Sequence, residues 1–176
     1  MTDRQYPIGR FNFKDDYSNA ELAALIDVVQ TAPAQYRALV ENLSGDDLAK
    51  IYREGSWNIR QLIHHVSDIA LLHYHRMKKA ITEPGSDMAV INMDAWAQTA
   101  DSLQMPVADS LLLFEGITNK YVFLINTLTE EQLGISYYHP VRQLWLTQKQ
   151  AVAMSTWHVE HHLAHIRLAL DGFHAK

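Results

Sequence analysis

Thr147-Gln148-Lys149-Gln150, followed without interruption by AVAMSTWHVEHHLAHIRLAL (residues 151–170), reads as one long helix carrying four histidines. Its first four residues form a capping box, in which the Thr147 hydroxyl and the Gln150 side chain satisfy each other's free amides. Gly172 lies just past its end, where a left-handed residue commonly stops a helix. A helix advances about 100° per residue, so with His158 at zero, His162 lies near +40°, His165 near −20° and His161 near −60°. All four share about a third of the circumference. The His158/His162 pair sets two imidazoles one turn apart on one face, a spacing that can bring two ring nitrogens to about 2.1 Å from a shared ion. A zincin motif would need Glu directly after the first histidine. Val159 stands there, and Glu160 falls about 200° away, so that reading is rejected.

Working outward, three more long helices are expected. Ser18-Asn19-Ala20-Glu21 is a second capping box, followed by Leu22, Leu25, Ile26 and Val29 at helical spacing. Pro33 is expected to break or kink this helix, after which Tyr36, Leu39, Val40 and Leu43 resume the pattern. Ser44 to Leu48 looks like a cap and a single turn. A helix from about Trp57 to Ala80 has a broad apolar face, with Arg76, Lys78 and Lys79 near its end, where cations suit the helix dipole. Asp109 or Ser110 opens another, running to about Leu128. Residues 1–17 read as an extended arm. Residues 85–106 form an aperiodic connector with one short helix near Asp94, read either as a lid over a site or as a packed connection. Tyr137 to Pro140 reads as a loop, with a short extended piece from Val141 to Leu146. The expected fold is therefore all-α: a four-helix bundle with long irregular connections, in a single domain spanning residues 1–176.

Composition narrows the function. The chain has 176 residues, 48% apolar and 20% charged, the balance of an ordinary globular protein. Fifteen basic against twenty acidic residues give a net charge of −5 with no basic stripe, so nucleic acid is not an expected partner. No apolar run approaches the length needed to cross a bilayer, and the first residues lack a signal-peptide pattern, so no membrane association and a cytoplasmic location are expected. There is no cysteine, which excludes disulfides, thiolate ligands and a cysteine nucleophile. No Gly-x-Ser-x-Gly elbow is present either. The unusual number is ten histidines, eight of them within residues 64–75 and 158–165.

In the first window Gln61, His65, Ile69, Leu72 and Arg76 share a narrow stripe, so His65 points with apolar neighbours while His64 is turned by about 100°. Metal sites in bundles form from facing helices. His65 with His158 and His162 would make a three-histidine site with an open coordination position. Asp68, one turn on, could complete a two-histidine, one-carboxylate set or orient a ligand ring. His73, His75 and His174 read as surface or rim residues.

These features resemble the DinB superfamily of metal-binding four-helix bundles, most closely its YfiT-like branch. The resemblance runs over nearly the whole chain. It includes Tyr6-Pro7-Ile8-Gly9, the segment Tyr52 to Trp57, Arg60-Gln61 followed by His64-His65, Tyr138-His139-Pro140, and Trp157 through Ile166. It implies one divalent metal ion held by His65 from the second long helix and by the His158/His162 pair from the last, a choice among the C-terminal histidines that spacing alone leaves open. It also implies a metal-dependent hydrolase, or a transferase using a low-molecular-weight thiol.

Three neutral imidazoles leave a divalent ion its full charge, which suits activation of water, or of a thiol, at neutral pH. The expected activity is hydrolysis of a small molecule by metal-activated water. The alternatives are thiol transfer and a non-catalytic bundle that binds a metal or small ligand. A metal-free, pH-sensitive histidine patch is a further reading. Zinc and nickel are the expected ions, with iron also compatible with imidazole. The expected partners are a small-molecule substrate, a thiol among the candidates, and a second copy of the chain in a homodimer.

Overall fold

The computed structural model describes residues 3–172. Four long helices form the body: α1 (Asn19–Val40), α3 (Ile59–Thr82), α6 (Val107–Asn126) and α8 (Gln148–Leu170). Between them lie the short helices α2 (Gly45–Leu48), α4 (Met93–Trp96), α5 (Ala100–Gln104) and α7 (Glu130–Gly134), and a hairpin of β1 (Ser136–His139) and β2 (Leu144–Thr147). α1 and α3 each pack against both α6 and α8, the square arrangement of a four-helix bundle. No helix among the described residues is long and apolar enough to cross a membrane.

The caps read from sequence form at Ser18, Ser44 and Thr147. A further capping box, Asn58 with Gln61, starts α3 two residues later than the apolar pattern suggests. Pro33 does not break α1, which runs unbroken through it. Ala32, Pro33 and Tyr36 are all buried, and burial of that face offsets the hydrogen bond the proline ring removes. α6 begins at Val107, directly after Pro106, rather than at Asp109.

Tyr137 to His139, expected as loop, belong to strand β1, and the extended piece expected at 141–146 begins only at Leu144, as β2, with residues 140–143 forming the turn. Tyr137 pairs with Leu146 and both face inward, Tyr138 pairs with Trp145 on the exposed face, and His139 pairs with Leu144. The turn closes through Gln143, whose φ of 54° places it in the left-handed region. The hairpin packs Tyr137 and Leu146 onto Ala80, Ala151 and Met154, and so leans across the α3–α8 face.

The connector at 85–106 is pinned to α3. Arg60 Nη1 and His64 Nε2 donate to the Met105 carbonyl at 3.0 and 3.2 Å, and Gln61 Nε2 donates to the Ala97 carbonyl at 2.8 Å. Most of its residues are exposed, with Met88, Ala97 and Ser102 buried, and its Ile91 and Met93 roof a cavity described below.

Candidate metal centre

The site is built where the inward stripe of α3 meets the histidine face of α8. His65 and His162 are buried and His158 is half-buried. The Nε2 atoms of His65 and His158 are 3.1 Å apart. Ring centroids lie 4.8 Å apart for His65/His162 and 4.6 Å for His158/His162. One nitrogen from each of the three falls within 4.8 Å of the others. Two ring nitrogens this close suit ligands at about 2.1 Å from one ion, and poorly suit two separately hydrated groups. Trp57, whose ring centre is 4.7 Å from that of His65, walls one side.

The protonation pattern of His162 follows from its neighbours. His165 Nε2 meets the Gln5 carbonyl at 3.2 Å, and a carbonyl only accepts. His165 therefore carries its proton on Nε2, and its Nδ1 accepts. His162 Nδ1 lies 3.3 Å from that acceptor and so donates, leaving the His162 Nε2 lone pair free. Ligating histidines typically have the other ring nitrogen held in this way. Burial keeps the centre neutral: the His65 pKa is pushed down to about 3, and those of His158 and His162 fall well below the usual imidazole value. Neutral imidazole is the form that binds a metal.

A second trio, His161, His162 and His165, is also close enough to share an ion. It comes from one helix only, and His165 is committed elsewhere, although the buried Nδ1 of His161 has no hydrogen-bond partner among the described residues. His165 stacks on Tyr52 at 3.8 Å and is committed to Gln5, and His161 stacks on Trp157 at 4.3 Å. The arm at residues 3–17 closes this end, with Arg4 donating to the Tyr52 and Leu168 carbonyls and Trp157 Nε1 to that of Gly9 at 3.2 Å.

The other candidates are elsewhere or play other parts. His64 bonds Ser110 Oγ at 2.7 Å and the Met105 carbonyl, away from the trio. Asp68 joins neither trio. Its pKa is raised to about 6, first by burial and then by the nearby Asp101. Glu160 is exposed, as its angular position requires, and His75 is exposed too, whereas His174 lies outside the described residues.

His73, read as a surface or rim residue, is half-buried. Its ring centre is 5.8 Å from that of His158, and its Nδ1 lies 2.9 Å from Ser155 Oγ. It lines a cavity of about 480 Å³ that also reaches His158 and Trp157. Arg76 is likewise no solvent-facing partner of the helix dipole, because it is 4% exposed and lines the same cavity. Both lie on the cavity side of α3, and the stripe His65, Ile69, Leu72, Arg76 was the signal that could have found Arg76.

A model of the DinB superfamily matches residues 29–166. A Halalkalibacterium halodurans protein named "Putative metal-dependent hydrolase" is 38% identical over 168 residues, covering 96% of this chain and 97% of that protein. YfiT of Bacillus subtilis, which carries the same description, is 31% identical over 161 residues, covering 92% of this chain and 90% of its own. The solved structure of YfiT, described as a probable metal-dependent hydrolase with an unusual four-helix bundle topology, superposes with a TM-score of 0.91 at 30% identity over 94% of each chain. With the family model spanning most of the chain and these relatives aligned nearly end to end, the chain belongs to the DinB superfamily.

Proposed function

We propose that the protein is a metal-dependent hydrolase of a small molecule, with a divalent cation held by His65, His158 and His162. The observation that carries this reading is the convergence of three neutral imidazoles from two helices at the wall of a cleft of about 410 Å³, with no carboxylate in the group and with His158 shared with the neighbouring apolar cavity. A structural zinc normally takes four protein ligands, and a catalytic one leaves a position open. The names of the relatives agree with this reading. When bound, such a cation supplies Lewis acidity, which polarises an acyl oxygen and lowers the pKa of water or a thiol.

The chain's own residues hold and shape the site. The relay from His162 through His165 to the Gln5 carbonyl holds the His162 lone pair toward the trio. Burial keeps the three rings unprotonated at neutral pH. Ile69, Leu72 and Met154 give the adjoining cavity apolar walls that exclude bulk water from a bound substrate.

Elemental analysis of tag-free protein is expected to find about one divalent ion per chain, lost in His158→Ala. Ester and amide substrates are expected to turn over only with the ion present. Equal metal in wild type and variant would overturn the ligand set. Turnover of thiol-plus-electrophile pairs without hydrolysis would reassign the reaction to thiol transfer.

A further inference from the structure

We propose that the cavity beside His158 binds the carboxylate of an otherwise apolar substrate, with Arg76 as the residue that grips it and Arg142 at the mouth. This rests on the reading above, of a small-molecule substrate at the same site, and adds its chemical class.

Arg76 is 4% exposed, yet among the described residues no carboxylate pairs with it, and none of the ion pairs includes Arg76 or Arg142. Its side chain is held by neutral groups only. Nε–H and one N–H of Nη2 reach the Ala89 carbonyl at 3.3 and 2.7 Å, and one N–H of Nη1 reaches His139 Nε2 at 3.2 Å. At least one N–H on each Nη is left over, since a neutral His139 can accept from only one of Arg76 Nη1 and the Arg142 amide. A buried guanidinium without a counter-charge is strongly unfavourable, and a bound anion would supply the missing charge.

The surroundings select the partner. The cavity is about 480 Å³, a common size for a small-molecule site, and no Asp or Glu lines it. Its apolar wall, including Phe13, Ile69, Leu72 and Met154, suits a hydrocarbon body. His139 is kept neutral, chiefly by burial and then by the field of Arg76, so it does not compete as a cation. Two remaining N–H groups match the two oxygens of a carboxylate. Arg142 follows Pro140 in the turn of the hairpin. It lines both this cavity and the neighbouring cleft that holds His65 and His162. A cation at the rim attracts an anion entering from either side.

Calorimetry with metal-free protein, comparing 4-phenylbutyrate with 4-phenylbutan-1-ol, tests this directly. The carboxylate is expected to bind about tenfold more tightly, the effect of a charge-assisted hydrogen-bond pair. Arg76→Met should abolish the preference, and Arg142→Gln should weaken it and flatten its salt dependence. Because no metal is present, failure of the three-histidine assignment would leave this preference intact and appear only in the elemental analysis. Equal affinities, or no binding of either probe at millimolar concentration, would overturn the proposal. Should Arg76→Met not fold, the Nε–H resonance of Arg76 in the wild type decides: it moves with the carboxylate and not with the alcohol, and a resonance that stays still overturns the assignment.

Discussion

His64 and His65 leave α3 in different directions, and the consequences of removing each differ. His64 bridges Ser110 and the Met105 carbonyl, so His64→Ala is expected to destabilise the protein by about 1–3 kcal/mol while leaving metal stoichiometry intact. His65→Ala is expected to lose the metal with a smaller effect on metal-free stability. Urea unfolding and elemental analysis of the two variants separate these outcomes, and matched metal loss would contradict the site geometry. His165 acts at one remove. Substituting His165→Leu frees His162 to take the other tautomer, and metal affinity should fall about 10- to 100-fold, as for other groups that hold a ligating histidine. Nitrogen NMR of His162 should show its proton on Nδ1 in the wild type, and a proton on Nε2 in the metal-free state would refute the relay.

At the scale of elements, α8 is located by polar anchors as well as by its apolar face. Tyr36, fully buried on α1, donates to the Val159 carbonyl at 2.7 Å, and Thr156 Oγ1 donates to the Leu25 carbonyl at 3.0 Å. Burial pushes the Tyr36 hydroxyl well above its ordinary pKa, so it stays a donor throughout the working range. Tyr36→Phe should lower stability by about 0.5–1.5 kcal/mol, because Val159 lies mid-helix and its carbonyl keeps its intrahelical partner. Since Val159 follows His158, the same variant should also weaken metal binding slightly. A stability loss above about 4 kcal/mol would show instead that α1 and α8 separate. The hairpin and the 85–106 connector supply the walls that the four long helices lack: Arg142 and Leu144 from one, Ile91 and Met93 from the other.

Over the whole molecule, the buried histidines make folding pH-dependent. In the unfolded chain they titrate near their ordinary value of about 6.5. In the fold, burial holds His65 and His73 at about 3, and His139, His161 and His165 at about 4. Below about pH 6.5 the unfolded chain therefore takes up protons that the folded chain does not. The stability these groups contribute is complete above that pH and is lost as pH falls toward the folded values, by up to about 1.4 kcal/mol per pH unit for each such histidine. Asp68 has the opposite sign, its contribution fading as pH rises through about 6, but it is one carboxyl against several rings. Urea midpoints of metal-free protein should thus fall steadily from pH 7 to pH 5, and a flat profile would contradict the burial of the cluster. Added zinc or nickel should raise the midpoint at pH 7, by about 2.7 kcal/mol at a hundredfold excess over the dissociation constant, and chelation should reverse this.

The helices, most of their caps and the clustering of histidines were legible in the chain, because helical period and capping are local and repeat within a few residues. The apolar stripe of α3 also held His65 and Arg76 together on one face before any fold was known. Three things needed the packed molecule. The two histidine windows are separated by more than eighty residues, so their meeting depends on how α3 lies against α8. The direction of the His162 lone pair depends on a carbonyl of the N-terminal arm, which no periodicity reveals. Arg76 looked like a cation suited to a helix end, and became an unpaired buried charge only once the hairpin and connector closed over it. Local pattern is set by neighbours along the chain, whereas the charge balance of a cavity is set by residues far apart in sequence whose desolvation only packing imposes.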